Sequence, residues 1–147
     1  MKFKAFLIAF LFAPMMLLGI NPASAATIAT TGCAVGASSH IHGTVSTTTN
    51  TLRGYTRVYG SQTARYVQPV IGPDIVWTAS MIKLTVVGPN GSYIKSYYTS
   101  SSRPYANFDV VKGGSVRATF YWQGRKTAGG VTTYRGTASC TTRYIKK

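Results

Sequence analysis

PYANFDVVKGGSVRATFYW, residues Pro104–Trp122, is the stretch that decides the fold. Phe108 and Val110 alternate on one side of its first half. Val116, Ala118, Phe120 and Trp122 alternate on one side of its second half, and Arg117, Thr119 and Tyr121 take the other. Side chains on a strand point to alternate faces, so a period of two gives one apolar and one polar face. A glycine pair between such runs is a hairpin signal, because glycine reaches positive φ without steric cost. The stretch therefore predicts two strands joined as a hairpin at Lys112-Gly113-Gly114.

Working outward, the rest of the chain has the same character. Beyond residue 26 it is rich in Thr, Ser, Tyr and Gly, and Leu occurs only at Leu52 and Leu84. β-branched and aromatic residues suit pleated, half-buried strands. Further strands are predicted over 27–35, 39–46, 52–59, 65–71, 75–87, 92–98 and 131–145. Thr47–Thr51 is a polar connector, and Gly60-Ser61 closes the third strand. Gly72-Pro73-Asp74 and Gly88-Pro89-Asn90-Gly91 are turns by their residue chemistry. Pro69 places the fourth strand at an edge or a bulge. Gly124–Gly130 reads as a flexible basic tip. Short strands at regular spacing predict an all-β, antiparallel sandwich of immunoglobulin-like type, with a small closed β-barrel as the alternative.

The chain begins with Lys2 and Lys4, an apolar run from Ala5 to Leu18, and the small-residue box Ala23-Ser24-Ala25. That is the pattern of a cleaved secretory signal peptide over residues 1–25, followed by a single secreted β domain over 26–147. No later apolar run is long enough to span a bilayer as a helix. In an exported chain, Cys33 and Cys140 are expected to form a disulfide between the first and last strands. A loop near 100 residues gives about 4–5 kcal/mol in the chain-entropy model.

Charge is the strongest functional clue. The chain carries 16 Lys and Arg against Asp74 and Asp109, with no Glu, for a formal charge of +14. Removing residues 1–25 takes away Lys2 and Lys4 and leaves +12. Such a protein is drawn to polyanions: a wall polymer, lipopolysaccharide, an anionic membrane surface, or nucleic acid. By parity, Arg53, Tyr55, Arg57 and Tyr59 share one strand face. Tyr93, Lys95 and Tyr97 share another, and Arg117 and Tyr121 a third. Arg125 and Lys126 add charge at the basic tip. Phenols supply flat surfaces and guanidinium groups supply forked donors, so these stripes are the candidate binding residues. Convergence on one concave face would mark a site; scatter over both sheets would mark generic charge.

Chemistry has few footholds. Two carboxylates leave almost no room for a hydrolase built on a carboxylate pair. His40-Ile41-His42 puts two imidazoles on one strand face, a spacing usable for a metal or an acid–base pair, but no third ligand is visible. There is no P-loop, dinucleotide fingerprint, EF-hand loop or Cys-x-x-Cys pair, and so no cofactor is expected. The leading expectation is a secreted cationic sandwich that binds an anionic cell-envelope component, with an antimicrobial or bacteriocin-like role. The rivals are an exported nuclease-type enzyme using His40 and His42, and a structural or adhesin-like surface module.

Overall fold

The computed structural model describes residues 28–36, 40–50, 55–100, 105–110 and 113–146. The segment 1–25, predicted as a signal peptide, and Arg53 lie outside these residues, as do the side chains of Tyr55 and Phe108. Among the described residues ten strands form two antiparallel sheets. The described residues include no helix long and apolar enough to cross a membrane.

The smaller sheet contains β1 (Ile28–Ala34), β2 (His42–Asn50), β3 (Tyr55–Gln62) and β7 (Tyr105–Val110), in the order β1-β2-β3-β7. The larger sheet is built on β5 (Ile75–Val87) and β8 (Ser115–Ala128). The free side of β5 is divided between β4 (Arg65–Gln68) and β6 (Tyr93–Ser100). That of β8 is divided between β9 (Val131–Thr141) and β10 (Ile145–Lys146). The result is an all-β sandwich. Neither sheet closes on itself among the described residues, so the alternative of a small barrel is not what forms. The first three strands are a meander within one sheet, whereas an immunoglobulin constant domain sends its third strand to the opposite sheet.

The opening stretch folds differently from its prediction. β7 pairs with β3 and β8 pairs with β5, so Val110 and Ser115 belong to different sheets. The segment around Gly113, with φ +86°, crosses between the layers instead of closing a hairpin. The alternation itself holds. Val110 is buried from one layer, and Val116, Ala118, Phe120 and Trp122 are buried from the other. A crossing aims both apolar faces at one interior, which a hairpin within a single sheet reaches from one side only.

The hairpin with two glycines lies at Gly129-Gly130, where φ is +53° and +77° and Ala128 pairs with Val131. Positive φ at both central residues is the two-residue turn that matches strand twist. The basic tip is therefore ladder up to Ala128, with only this pair as the turn.

The core is Trp122, Phe120, Ile82, Leu84, Val45, Val58 and Val116, each fully buried. Each such side chain contributes about 1.5–3 kcal/mol of burial. The Phe120 ring lies against the backbone of Gly43, leaving no space for a Cβ there. The Trp122 indole Nε1 donates to the Thr63 carbonyl at 2.8 Å, so its one polar atom is satisfied inside. Two further expectations are corrected here. The predicted connector at Thr47 is strand, because Thr47 faces inward between Ala29 and Val58 and its hydroxyl lies 3.5 Å from the Ala29 carbonyl. Gly60 is not a turn but a close sheet contact, where an added Cβ would stand 3.2 Å from Ile82 Cγ2.

Cys33 on β1 and Cys140 on β9 are joined, with Cα atoms 5.8 Å apart across 107 residues of sequence. β1 is an edge of the smaller sheet and β9 an edge of the larger, so the bridge staples the two layers along one side.

Candidate functional site

Strand register sorts the predicted binding residues, and it does not gather them all. On β3, Arg57 and Tyr59 lie on the outer face of the smaller sheet, because Thr56 and Val58 take the inner one. Arg57 stands opposite Asp109 on β7, and its Nε is 3.3 Å from Asp109 Oδ1. The pair is 40% and 53% exposed, so it contributes under about 1 kcal/mol, but it neutralises Arg57.

The predicted stripe on β6 is split. Tyr93 pairs with Val87 and Lys95 with Val86, so Ile94 is an extra residue in the ladder. A bulge of this kind resets the alternation. Lys95 and Tyr97 therefore follow Val86 and Leu84 to the inner side. Tyr97 packs at the margin of the core, with Lys95 Nζ 5.1 Å from its ring centroid. Tyr93 goes to the outer face with Val87. A second bulge, at Arg135 on β9, likewise turns Tyr134 outward, away from the Ala138 and Cys140 side.

What does converge is a cleft of about 600 Å3 on the outer face of the larger sheet. Lys83 and Thr85 come from β5, Ser96 and Tyr93 from β6, and Ser115 and Arg117 from β8. Tyr144 and Lys146 close it. Arg117 lies opposite Thr85, and its guanidinium carbon is 4.9 Å from the Tyr144 ring centroid. Lys83 Nζ is 5.8 Å from the ring of Tyr98, its cross-strand partner. A cation over an aromatic face is attracted to the ring quadrupole but keeps its charge. Among the described residues no carboxylate lines the cleft. The Arg117 Nε is shut off from solvent and has no hydrogen-bond partner among the described residues.

Tyr144 reaches this place through a break in the predicted last strand. The Thr142 N–H donates to the Ala118 carbonyl at 2.9 Å, continuing the ladder. The Ala118 N–H, however, donates to the Thr142 hydroxyl at 3.1 Å, and that hydroxyl donates to the Arg143 carbonyl at 2.9 Å. The side chain thus takes the place of a backbone acceptor, and the chain turns away. Arg143 and Tyr144 bow out before Ile145 pairs with Val116.

The remaining candidates lie elsewhere. Tyr121, opposite Met81 and Ser139, is outside the cleft lining. Arg125 borders a smaller cleft of about 300 Å3 with Thr78, Ser80 and Gln123, at the bulge in β5. Lys126 reaches the β4–β5 turn at Gly72. His40 stacks on Tyr66, with ring centroids 4.9 Å apart and planes 5° from parallel, while His42 Nδ1 is 3.2 Å from the Thr63 hydroxyl. The two imidazoles are thus engaged by different partners. Among the described residues no three His, Cys, Asp or Glu side chains group as a metal site would require.

Lys83, Tyr98, Tyr144 and Lys146 were missing from the predicted set. Lys83 is visible in sequence as the polar member of the Ile82–Val86 alternation. Nothing in sequence links it to Tyr144 or Lys146, which depend on the break at Thr142. Comparison with family models, with curated proteins and with solved structures finds no match to this chain.

Proposed function

We propose that this protein is exported and binds an anionic component of the cell envelope through the cleft on the outer face of its larger sheet. One observation carries the reading: Lys83, Arg117 and Lys146 surround a cleft that no carboxylate of the described residues lines. Three positive charges brought to one cleft repel one another, and an incoming polyanion relieves that repulsion. The phenols of Tyr93 and Tyr144 offer flat contact surface beside the charge. Elsewhere the basic residues raise the long-range attraction without defining a site. The domain acts as a binding module, with the sandwich as a rigid support.

The test is retention of the purified protein on beads of anionic dextran against beads of neutral dextran. Affinity for the anionic beads is expected to fall by about tenfold or more between about 50 and about 200 mM salt. Substituting Lys83 and Arg117 by Ala is expected to weaken it more than substituting Arg57. Equal retention on neutral beads, or indifference to salt, would count against the reading.

A further inference from the structure

We infer that the cleft is a phosphate site, in which Arg117 holds the oxyanion and Lys83 and Lys146 favour phosphate over carboxylate. The inference rests on the polyanion reading and narrows it to one ligand chemistry. It starts from the types of donor present. Lys83 and Lys146 are compact point charges, whereas Arg117 is the single guanidinium of the described residues lining the cleft. Thr85, Ser96 and Ser115 add hydroxyls on the same wall.

A carboxylate brings one negative charge and two oxygens in one plane. It satisfies the guanidinium fork and leaves the charges of the two lysines unmet by the ligand. A phosphomonoester brings about −1.5 to −2 charges and three strong acceptor oxygens. Those oxygens point in different directions, so two can take the fork while another faces a lysine or a hydroxyl. The charge count also matches better, with three cations against nearly two negative charges.

Arg117 is also the residue whose own geometry asks for a ligand. Its guanidinium lies against Tyr144, and its Nε is buried with no partner among the described residues. An unsatisfied buried donor on a charged group is costly and rare. A bound oxyanion offsets the charge of that guanidinium from the cleft side, without contact to the shut-off Nε. Arg57 makes the contrast on the other sheet, where Asp109 already holds its Nε.

The experiment compares phosphorylated dextran with carboxymethyl dextran of matched charge, using the full folded protein at low salt. The native protein is expected to bind the phosphorylated polymer about tenfold more tightly. Arg117→Lys keeps the charge and removes the fork that both anions use, so it should weaken both polymers alike and keep the preference. Lys83→Gln with Lys146→Gln removes the cations that a carboxylate leaves unengaged, so it should abolish the preference by weakening the phosphorylated polymer more than the carboxymethyl one. Thermal unfolding midpoints of both variants check the fold, and Lys83→Gln alone supplies a second reading if the pair is unstable. Vesicles containing phosphatidic acid and free glycerol 3-phosphate form the remaining arms. Capture by vesicles that the soluble ester displaces assigns the phosphate to lipid headgroups; displacement from phosphorylated dextran without vesicle capture assigns it to a soluble polymer. Equal affinity for the two dextrans, or a preference that survives loss of the two lysines, overturns the phosphate assignment and leaves the polyanion reading standing. Salt-insensitive or absent binding to both dextrans and to vesicles removes both.

Discussion

The two outer faces of the sandwich carry the same pair of residue types, an arginine with tyrosine nearby, and the register gives them opposite electrostatics. On the smaller sheet, the β3–β7 pairing sets Asp109 opposite Arg57, 3.3 Å away. On the larger sheet, the β5–β8 pairing sets Thr85 opposite Arg117, and the neighbours lining that cleft include Lys83 and Lys146. One face is locally balanced and the other is not. Net charge belongs to the whole chain; a site depends on which strand lies across from which. With two acids in 147 residues, the position of Asp109 alone decides which Arg-bearing face keeps its charge.

The contrast exists only while the two sheets stay stacked, so the largest expected effects come from unstacking them. Replacing Cys33 and Cys140 with Ser should cost about 2–5 kcal/mol of unfolding free energy in urea titrations. A loss well below that would mean the layers hold together without the staple. Gly43→Val should cost about 1–3 kcal/mol in the same titration, because a side chain there must displace the Phe120 ring. A neutral result would place Phe120 elsewhere. Next comes the contrast itself. Arg117→Ala should weaken binding to phosphorylated dextran about tenfold, or roughly 1.4 kcal/mol, while Arg57→Ala should change it less than about twofold. Equal losses at the two positions would erase the distinction between the faces. The smallest effect sharpens it. Asp109→Asn removes the partner of Arg57, so polyanion affinity should rise by no more than about twofold, with stability changing by under about 1 kcal/mol. An unchanged affinity would show that the smaller sheet plays no electrostatic part.

Two glycine pairs show what was legible along the chain. Gly113-Gly114 and Gly129-Gly130 each sit between runs able to form strands, and sequence reading placed the hairpin at the first. The hairpin is at the second. Alternation says which side of a strand is apolar, but not whether the next strand lies beside it or across the core from it. Both arrangements bury Val110, Val116, Ala118, Phe120 and Trp122. The β5–β6 hairpin was legible because Gly88-Pro89-Asn90-Gly91 leaves few alternatives. It is closed by the Gly88 N–H to the Ser92 carbonyl at 2.7 Å, with Gly91 at φ +77°. Thr47 was misread because a threonine inside a sheet packs as valine does once its hydroxyl finds a carbonyl.

The candidate site was legible only in part. Arg117 and Tyr93 were placed on two separate candidate binding faces, and they reach one cleft from different strands. Lys95 and Tyr97 were assigned to the face of Tyr93, and the bulge at Ile94 separates them. A single extra residue in a ladder leaves no mark in composition or spacing, because its cost and gain depend on the partner strand.

Local chemistry in the residues was enough to establish an all-β chain, the apolar face of each main strand, the pairing of its two cysteines and an excess of positive charge. These follow from alternation, from residue types and from counting, and each acts within a strand or over the whole chain. Which strands became neighbours, where the bulges fell, which arginine met an aspartate and which met lysines were decided only when the sheets assembled. Those outcomes depend on contacts between residues far apart in sequence, and the same short patterns are compatible with several such assemblies.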